Sequence, residues 1–482
     1  MCGLIMRVQS KIQVFNFLLI IFLIISQSAF SDDELIDDKG TSDKQYTVRN
    51  IIITGNKVTK EKVILKEMTF KSGDKLKEKN LLSEKEQSIN NIKNTSLFNF
   101  VYLDYEFVER NQLDVYIRVE ERWYFWAVPL FEHTDRNLSV FLKNGNWDMI
   151  NYGVYLRYNN FRGRKEVLML RLRTGFSNQL LFNYDSPDYK SRLGWGLWID
   201  YNFYDKAPVS TYDDQPFYVT TLGTQLYRSM SNAIYLQYRS GLYQRHKLVV
   251  NYYSHSVADT VINVNSNFLP EARSRTDYLE LEYRYEHDTR DYKYYPLKGG
   301  FRRITLKQTG LGLLNSDLDF LTVSARVHQY VPIVNRLYAG TEWLGNYSWA
   351  KSVPYFYHNG LGYRDFIRGY EYYVMDGNSF FLAKNRITFE LVPTKVKNFK
   401  IDALNKFSKI HYAFYLNCFY DFGYVNNNDK LASANNKMVN NYLYGYGLGI
   451  DFVTFYDKVF SFNYAFNKYH ESGFFFHLNL KI

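Results

Sequence analysis

Tyr278-Leu279-Glu280-Leu281-Glu282-Tyr283-Arg284-Tyr285-Glu286 alternates without a slip, Leu and Tyr on one face, Glu and Arg on the other. Successive side chains of a β-strand point to opposite sides, so this period of two predicts a strand that is apolar on one face and wet on the other. The pattern returns near the C-terminus. Phe460, Phe462, Tyr464 and Phe466 alternate with Ser461, Asn463, Ala465 and Asn467. Phe474, Phe476, Leu478, Leu480 and Ile482 alternate with Phe475, His477, Asn479 and Lys481. From Trp123 onward no helical periodicity competes with it. A soluble β-sandwich also alternates, but here the apolar faces are crowded with Tyr and Phe, as in the girdles of membrane barrels. Turns also alternate between short and long, and the stretch from Ser352 to Asn378 is long and rich in Gly, Tyr and Arg.

Working back to the N-terminus, one apolar run, Val14 to Ile25, is preceded by Arg7 and Lys11 and followed by Ser26-Gln27-Ser28-Ala29-Phe30-Ser31. A basic start, a short apolar core and small residues at the exit predict a secretory signal peptide over residues 1–31, an anchor helix being the alternative. Residues 32–45 read as a polar linker. Residues 46–121 then have the composition of one small α+β unit. Tyr46 to Thr54 is a strand stopped by Gly55-Asn56, and Lys60 to Met68 is helical up to the Gly73-Asp74 break. Glu78 to Lys93 is a helix with Leu81, Leu82, Ile89 and Ile92 on one face, followed by strands at Phe100 to Val108 and Leu113 to Val119. A membrane strand with its connections uses roughly 22 residues, so the span 122–482 predicts an all-β transmembrane antiparallel barrel of about 16 strands.

Composition excludes other classes. A mean hydropathy of −0.36 and a single long apolar run rule out a helical membrane bundle. The net charge of +10 is spread among carboxylates and forms no stripe, so no nucleic-acid partner is expected. Cys2 and Cys418 lie too far apart in sequence to suggest a disulfide framework or a cysteine metal site. No G-x-S-x-G, no G-x-x-x-x-G-K-[ST] and no H-E-x-x-H occurs. His411, Ser472 and His477 read as lumen or loop residues. Neither enzymatic activity nor a cofactor or metal is expected.

Short motifs follow one another in a telling order. They are Ile51-Ile52-Ile53-Thr54-Gly55-Asn56, Gly73-Asp74, Asn94-Thr95-Ser96-Leu97-Phe98-Asn99-Phe100-Val101, Asp288-Thr289-Arg290-Asp291 with Pro296 and Gly299, Phe366-Ile367-Arg368-Gly369-Tyr370, Arg386 to Pro393, and Phe419 to Gly423. This order resembles the BamA/TamA superfamily of outer-membrane protein insertases, and the N-terminal unit resembles a POTRA domain. The resemblance implies that Arg368, Gly369 and Tyr370 form the tip of a long sixth extracellular loop folded back inside the barrel, with Glu390 and Asp421 as acidic partners of the arginine. Periodicity agrees that both acids face inward. Ile387, Phe389 and Leu391 form one face of their strand, and Tyr412, Phe414, Leu416, Cys418 and Tyr420 form one face of theirs, so the acids fall on the side away from lipid. Arginine suits such partners because its planar fork donates two parallel hydrogen bonds. Gly445, Gly447 and Gly449 alternate with Tyr444, Tyr446 and Leu448, which predicts a smooth inner wall; room for the loop and wall curvature through glycine kinks both fit.

The functional implication is an outer-membrane assembly factor that folds and inserts client β-barrel proteins through the POTRA sheet edge and a barrel seam between Tyr124–Phe131 and Gly473–Ile482. Its expected place is the bacterial outer membrane with the N-terminal domain in the periplasm. Expected partners are unfolded outer-membrane clients, the lipid bilayer, and periplasmic chaperones or accessory lipoproteins. The chain shows one POTRA-like unit and ends in Ile482 rather than an aromatic residue. A two-partner-secretion transporter and a passive porin or uptake channel are the alternatives.

Overall fold

A computed structural model describes residues 44–109, 111–133, 145, 147, 150–189, 191–220, 225–312, 314, 318–350, 353–358, 360–398, 407–427 and 436–479. The expected signal peptide, nearly all of the linker and the terminal Leu480, Lys481 and Ile482 lie outside these residues. The N-terminal unit comprises β1 (Gln45–Thr54), α1 (Glu61–Leu65), β2 (Lys75–Lys77), α2 (Leu81–Lys93), β3 (Phe98–Glu109) and β4 (Gln112–Glu121). Its sheet runs β2-β1-β4-β3, with β1 parallel to β4, and the helices bury Ile64 and Ile92 against Val48, Leu103, Val115 and Ile117. Two details differ from expectation. Strand β2 is too short to show a period, and it forms because Leu76 buries while its neighbours pair with Gln45 and Thr47. Leu82 is exposed: it lies about 100° around α2 from the buried Leu81, because a helix turns once every 3.6 residues.

The remainder is one antiparallel sheet of 16 strands. It begins with β5 (Phe125–His133), β6 (Ile150–Phe161), β7 (Glu166–Gly175), β8 (Ser177–Ser186) and β9 (Leu193–Tyr204). A separate hairpin of β10 (Lys206–Tyr212) and β11 (Gln215–Thr220) interrupts it. The sheet resumes with β12 (Tyr227–Arg239), β13 (Gln244–Val257), a short α3 (Asp259–Val264), β14 (Arg275–Asp288), β15 (Gly299–Thr309), β16 (Phe320–Val334) and β17 (Leu337–Trp349). It ends with β18 (Ser379–Asn398), β19 (Lys409–Asn426), β20 (Tyr442–Thr454), β21 (Lys458–Asn467) and β22 (Ser472–Asn479). Each strand of the sheet pairs with the next along the chain. Among the described residues no ladder joins β22 back to β5, so the sheet has two free edges.

The alternation read from sequence sorts inside from outside. On β19, Leu416, Cys418 and Tyr420 are exposed, whereas Ala413, Asn417 and Asp421 are buried. On β18, Ile387 and Phe389 are exposed and Thr388 is buried. Tyr278 departs from its assigned face. Its parity places it with the glutamates of β14, and it is buried among His255, Tyr357 and Phe320, donating or accepting through its hydroxyl at 3.2 Å from His255 Nε2.

The N-terminal unit is seated against the short-turn end of the barrel. Lys60 N–H donates to the Gly163 carbonyl in the β6–β7 turn, and Lys66 Nζ donates to the Ser191 carbonyl in the β8–β9 turn. Asn94, just after α2, donates to the carbonyls of Arg290 and Asp291 and accepts from Lys293 N–H in the β14–β15 turn. Thus the Asn94 and Asp288–Gly299 motifs, far apart in sequence, meet each other. Arg122 forms a buried, bidentate pair with Asp457 of the β20–β21 turn at 2.6 and 2.9 Å. The β14–β15 turn also reaches into the bore, where Tyr295 packs on Tyr415 and donates to Asp451 at 2.8 Å.

Glu67, on the segment after α1, is a second buried member of this junction. Arg239 donates to both its oxygens at 3.0 and 2.7 Å, and Lys165 Nζ lies 3.3 Å away. Burial would raise the Glu67 carboxyl, but Lys165 and Arg239 together outweigh it and bring it down to about 2, from an ordinary value of 4.5. A carboxyl depressed in the folded state adds stability above its ordinary titration range and loses that stability as pH falls through the depressed value. Spin-label distances between the N-terminal unit and the barrel should therefore stay narrow at pH 4 and broaden only as pH approaches 2. Glu67→Ala, which leaves Arg239 buried without its partner, should broaden them at pH 7, matching a loss of about 3–5 kcal/mol of docking. Unchanged distances in that variant would show that the clasp does not hold the domain.

Candidate functional site

The connection between β17 and β18 is the long Gly-, Tyr- and Arg-rich stretch, and its middle descends from the long-loop end into the bore. Ile367 and Tyr370 are fully buried, in a cluster with Leu361, Met375, Leu382, Val425 and Leu443. Between them Gly369 adopts φ +94°, a conformation that side chains rarely take, and this turns the backbone back on itself. The turn presents Arg368 to the wall.

Arg368 meets Asp421 of β19 through three hydrogen bonds. Its Nε donates to Oδ2 at 2.8 Å, one terminal nitrogen donates to Oδ1 at 2.6 Å, and the Arg368 backbone N–H donates to Oδ2 at 3.0 Å. Asp421 has no side-chain exposure, so this bidentate pair is desolvated on the acid's side. The guanidinium also lies over the Phe419 ring, 3.8 Å from its centroid, where the ring's negative face attracts a cation. The same terminal nitrogen reaches the Asn385 carbonyl at 3.4 Å.

Glu390 is not part of this arrangement, which corrects the expectation that both acids receive the arginine. In the β18–β19 ladder Asp421 lies opposite Lys384, whereas Glu390 lies opposite Tyr415. Six residues of strand separate Lys384 from Glu390, roughly 20 Å at the usual rise. Glu390 therefore sits towards the short-turn end, where its backbone N–H bonds the Arg336 carbonyl. Its inward parity is right and its height is wrong.

Two residues that motif reading did not single out complete the tip. Glu371 is buried and accepts the Gly369 N–H at 2.8 Å through Oε2. Its Oε1 lies 3.2 Å from Nε2 of His477 on β22. Asn467, at the end of β21, donates to the Gly369 carbonyl at 3.1 Å. Tyr370 donates to the Tyr444 carbonyl at 3.2 Å and accepts from Lys468 N–H at 3.1 Å. Glu371 falls on a non-periodic loop, so its adjacency to the Arg-Gly-Tyr tip was the one signal available.

The glycines of β20 differ in what they face. A Cβ on Gly445 would run into the Arg368 carbonyl oxygen, so this position makes room for the loop. A Cβ on Gly447 or Gly449 would meet Tyr464, Phe419, Asn463 or Asn417 of the wall itself. On β19, a Cβ at Gly423 would meet Ile367 of the loop.

The loop leans on a cap at the long-loop end. Val374 N–H donates to the Asp214 carbonyl at the β10–β11 turn, and Tyr355 and Phe356 pack on Ala207, Val209, Val261 and Phe268. Cavities among the described residues include two inside the barrel. One, of about 670 Å³, lies under the seam strand β5 and includes Trp126, Arg157, Lys165 and Arg239 in its lining. The other, of about 610 Å³, is lined by Tyr253, Glu280, Arg284, Arg303 and Arg326 among others. Charges on its wall form pairs, for example Arg284 with Glu282 at 2.6 Å and Arg326 with Asp365 at 2.9 Å. Among the described residues no group of three or more His, Cys, Asp or Glu gathers as a metal site. The geometry is that of a braced, obstructed barrel whose described strands leave one line of the wall unpaired.

Comparison with known proteins gives this geometry a context. A family model described as the Omp85 superfamily domain matches residues 160–481, and one described as the surface antigen variable number repeat, of POTRA type, matches residues 46–122. Among solved structures the chain is similar to BamA from Haemophilus ducreyi lacking POTRA domains 1–3, at 17% identity and a TM-score of 0.50, covering 92% of this chain and 84% of that one. It is also similar to CdiB from Escherichia coli, at 10% identity and a TM-score of 0.51, covering 90% and 75%. At such identities these likenesses establish the fold. No curated protein matches the chain.

Two substitutions separate the contacts of the tip. Asp421→Ala removes the acceptor of three Arg368 hydrogen bonds and leaves a largely buried guanidinium without its carboxylate, which should cost about 3–5 kcal/mol. Gly445→Val should expel the same tip by steric contact while leaving both charges in place. Both variants should expose the Arg368 peptide bond to trypsin in intact membranes and lower resistance to heat in detergent gels, whereas Glu390→Ala should match the parent. Equal behaviour of Asp421→Ala and Glu390→Ala would remove Asp421 from its assigned place.

Proposed function

The chain belongs to the Omp85 superfamily, whose members insert or transport proteins at the outer membrane with their POTRA domains in the periplasm, and from that premise we propose that this member folds and inserts client β-barrel proteins. The observation that carries the reading is the seam. Strand β5 and strand β22 each present one edge that pairs with no strand among the described residues. A client strand cannot enter hydrocarbon with its backbone groups unsatisfied, and a free edge offers the missing partners without regard to side-chain sequence. Chain binding at such an edge draws its free energy from client folding, so the mechanism calls for no nucleotide and no catalytic residue.

The N-terminal sheet supplies a second edge of the same kind. In the order β2-β1-β4-β3, strand β3 pairs among the described residues with β4 alone, and this edge is 12 residues long with Phe107 and Val108 exposed. In this reading an extended client is first held by β3 on the periplasmic side and then passed to the seam. The Arg368–Asp421 pair keeps the bore rigid while the seam works.

The transporter alternative would send one exoprotein through the bore. Here the bore holds the Arg-Gly-Tyr tip from one end, and the docked domain with the Asp291–Lys298 turn obstructs the other. Both obstructions would have to leave, whereas a lateral route needs neither to move. A passive channel gives the N-terminal domain no task.

Depletion of the protein distinguishes the three. An insertase predicts a several-fold fall in many outer-membrane barrel proteins by quantitative proteomics of the membrane fraction. Loss of a single secreted protein with the barrel proteome intact would establish the transporter instead, and a change confined to solute permeability would establish the channel.

A further inference from the structure

Strand β22 is the last strand of the sheet, and among the described residues β21 is the one strand it pairs with. Its outward side chains pack on β21, Phe476 on Phe462 at 4.9 Å and Phe474 on Tyr464 at 4.6 Å, and Phe474 is 81% exposed. Its inward side chains meet the inserted loop. Phe475 is buried and lies 5.3 Å, ring to ring, from Tyr372. His477 stacks on Phe366 at 5.0 Å, and its Nε2 lies 3.2 Å from Glu371.

Glu371 joins two tasks. One carboxylate oxygen holds the Gly369 N–H, and with it the left-handed turn that aims Arg368 at Asp421. The other holds His477 on the edge strand. The side chain has no exposure, so removing a partner leaves a polar group that water cannot easily satisfy. The turn that locks the loop and the position of the edge strand therefore share one carboxylate.

Strand β5, across the seam, is secured by different parts. Trp126 packs edge-on against Tyr456 at 5.2 Å, and Glu132 accepts from Arg171 of β7. Its described contacts run to the short-turn end and to neighbouring strands rather than to the loop.

We propose that Glu371 and His477 form a tether by which the inserted loop positions the free edge of β22, so that the loop supplies the support which strand β5 would give in a closed barrel. Glu371 and His477 are positioning residues: they act on the edge that receives the client and not on the client. The inference rests on the seam being the working edge, but the tether itself is a statement about β22 and is tested without any client.

The experiment is hydrogen exchange by mass spectrometry on the full chain in lipid bilayers, reading peptides over residues 472–479, 366–373 and 275–288. His477→Ala and Glu371→Ala should each speed exchange in 472–479 at least tenfold, and the double variant should add nothing further, because both remove the same contact. His477→Gln, which keeps a side-chain donor, should return exchange to within about threefold of the parent. Peptide 275–288 on β14 should not change. Unaltered exchange in 472–479 for His477→Ala overturns the proposal, and so does equal loosening of β14 or an additive double variant. Should Glu371→Ala fail to assemble, the His477→Ala and His477→Gln pair decides the matter alone. Loss of β22 protection in a strain whose outer-membrane proteome survives depletion would keep the tether and overturn the insertase reading.

Discussion

In hydrocarbon there is no water to satisfy a backbone N–H or C=O, so a sheet that crosses a membrane must pair its strands around a ring. Among the described residues, this chain meets that constraint along every junction of its 16-stranded sheet except between β22 and β5. Most of the remaining architecture can be understood as a response to that one exception. A ladder broken at a single line is free to separate there, and the wall on either side then needs support from inside. The loop between β17 and β18 gives that support to the C-terminal strands. Its tip touches β19 through Asp421, β20 through Gly445, β21 through Asn467 and β22 through His477. The docked domain holds the barrel from below, where Glu67 binds Arg239 of β12, Asn94 the β14–β15 turn and Arg122 the β20–β21 turn.

The buried charge pairs, Arg122–Asp457 among them, are built alike. Arg368–Asp421 and Arg239–Glu67 are both bidentate, and each has its acid buried. A buried pair of this kind adds little net stability over a packed hydrophobic contact, because desolvation offsets the attraction. What it adds is specificity, since a planar fork accepts few geometries and a broken pair is costly. Such contacts suit a body that must return to one arrangement after each opening. Packing contacts alone, such as those of Ile367 and Leu361, tolerate sliding far better.

How much of this could be read in the sequence depended on whether a residue sat in a periodic segment. The inward and outward faces of β19 followed from alternation, because a strand's side chains have only two directions. Tyr278 shows the weakness of judging by residue type: its parity pointed inward, and tyrosine is apolar enough to suggest the outside. Alternation also says nothing about height along the barrel axis. Glu390 and Asp421 both face the bore, and nothing in their own strands tells which one a returning loop will reach. That is fixed by the β18–β19 register and by how far the loop descends, both of which are long-range properties. Leu82 fails for a related reason, since two adjacent leucines cannot share one helical face. The three-residue β2 and the β10–β11 hairpin lie in stretches too short or too irregular to carry a period, and Glu371 sits in a loop that carries none.

The seam also explains why the loop must hold the C-terminal strands and not bridge the gap. A brace that joined β22 to β5 would replace the missing ladder and prevent the wall from parting. A brace confined to one side leaves the gap free while keeping its edge straight. The described contacts of the tip are of the second kind, running to β18 through β22 and to Asp365–Arg326 on β16. An incoming strand then meets an ordered row of backbone donors and acceptors along β22, and the entropy of ordering that row has already been lost before the client arrives. The position of the inserted loop is thus a condition of edge pairing, and the buried carboxylate beside the Arg-Gly-Tyr turn is where the two are joined.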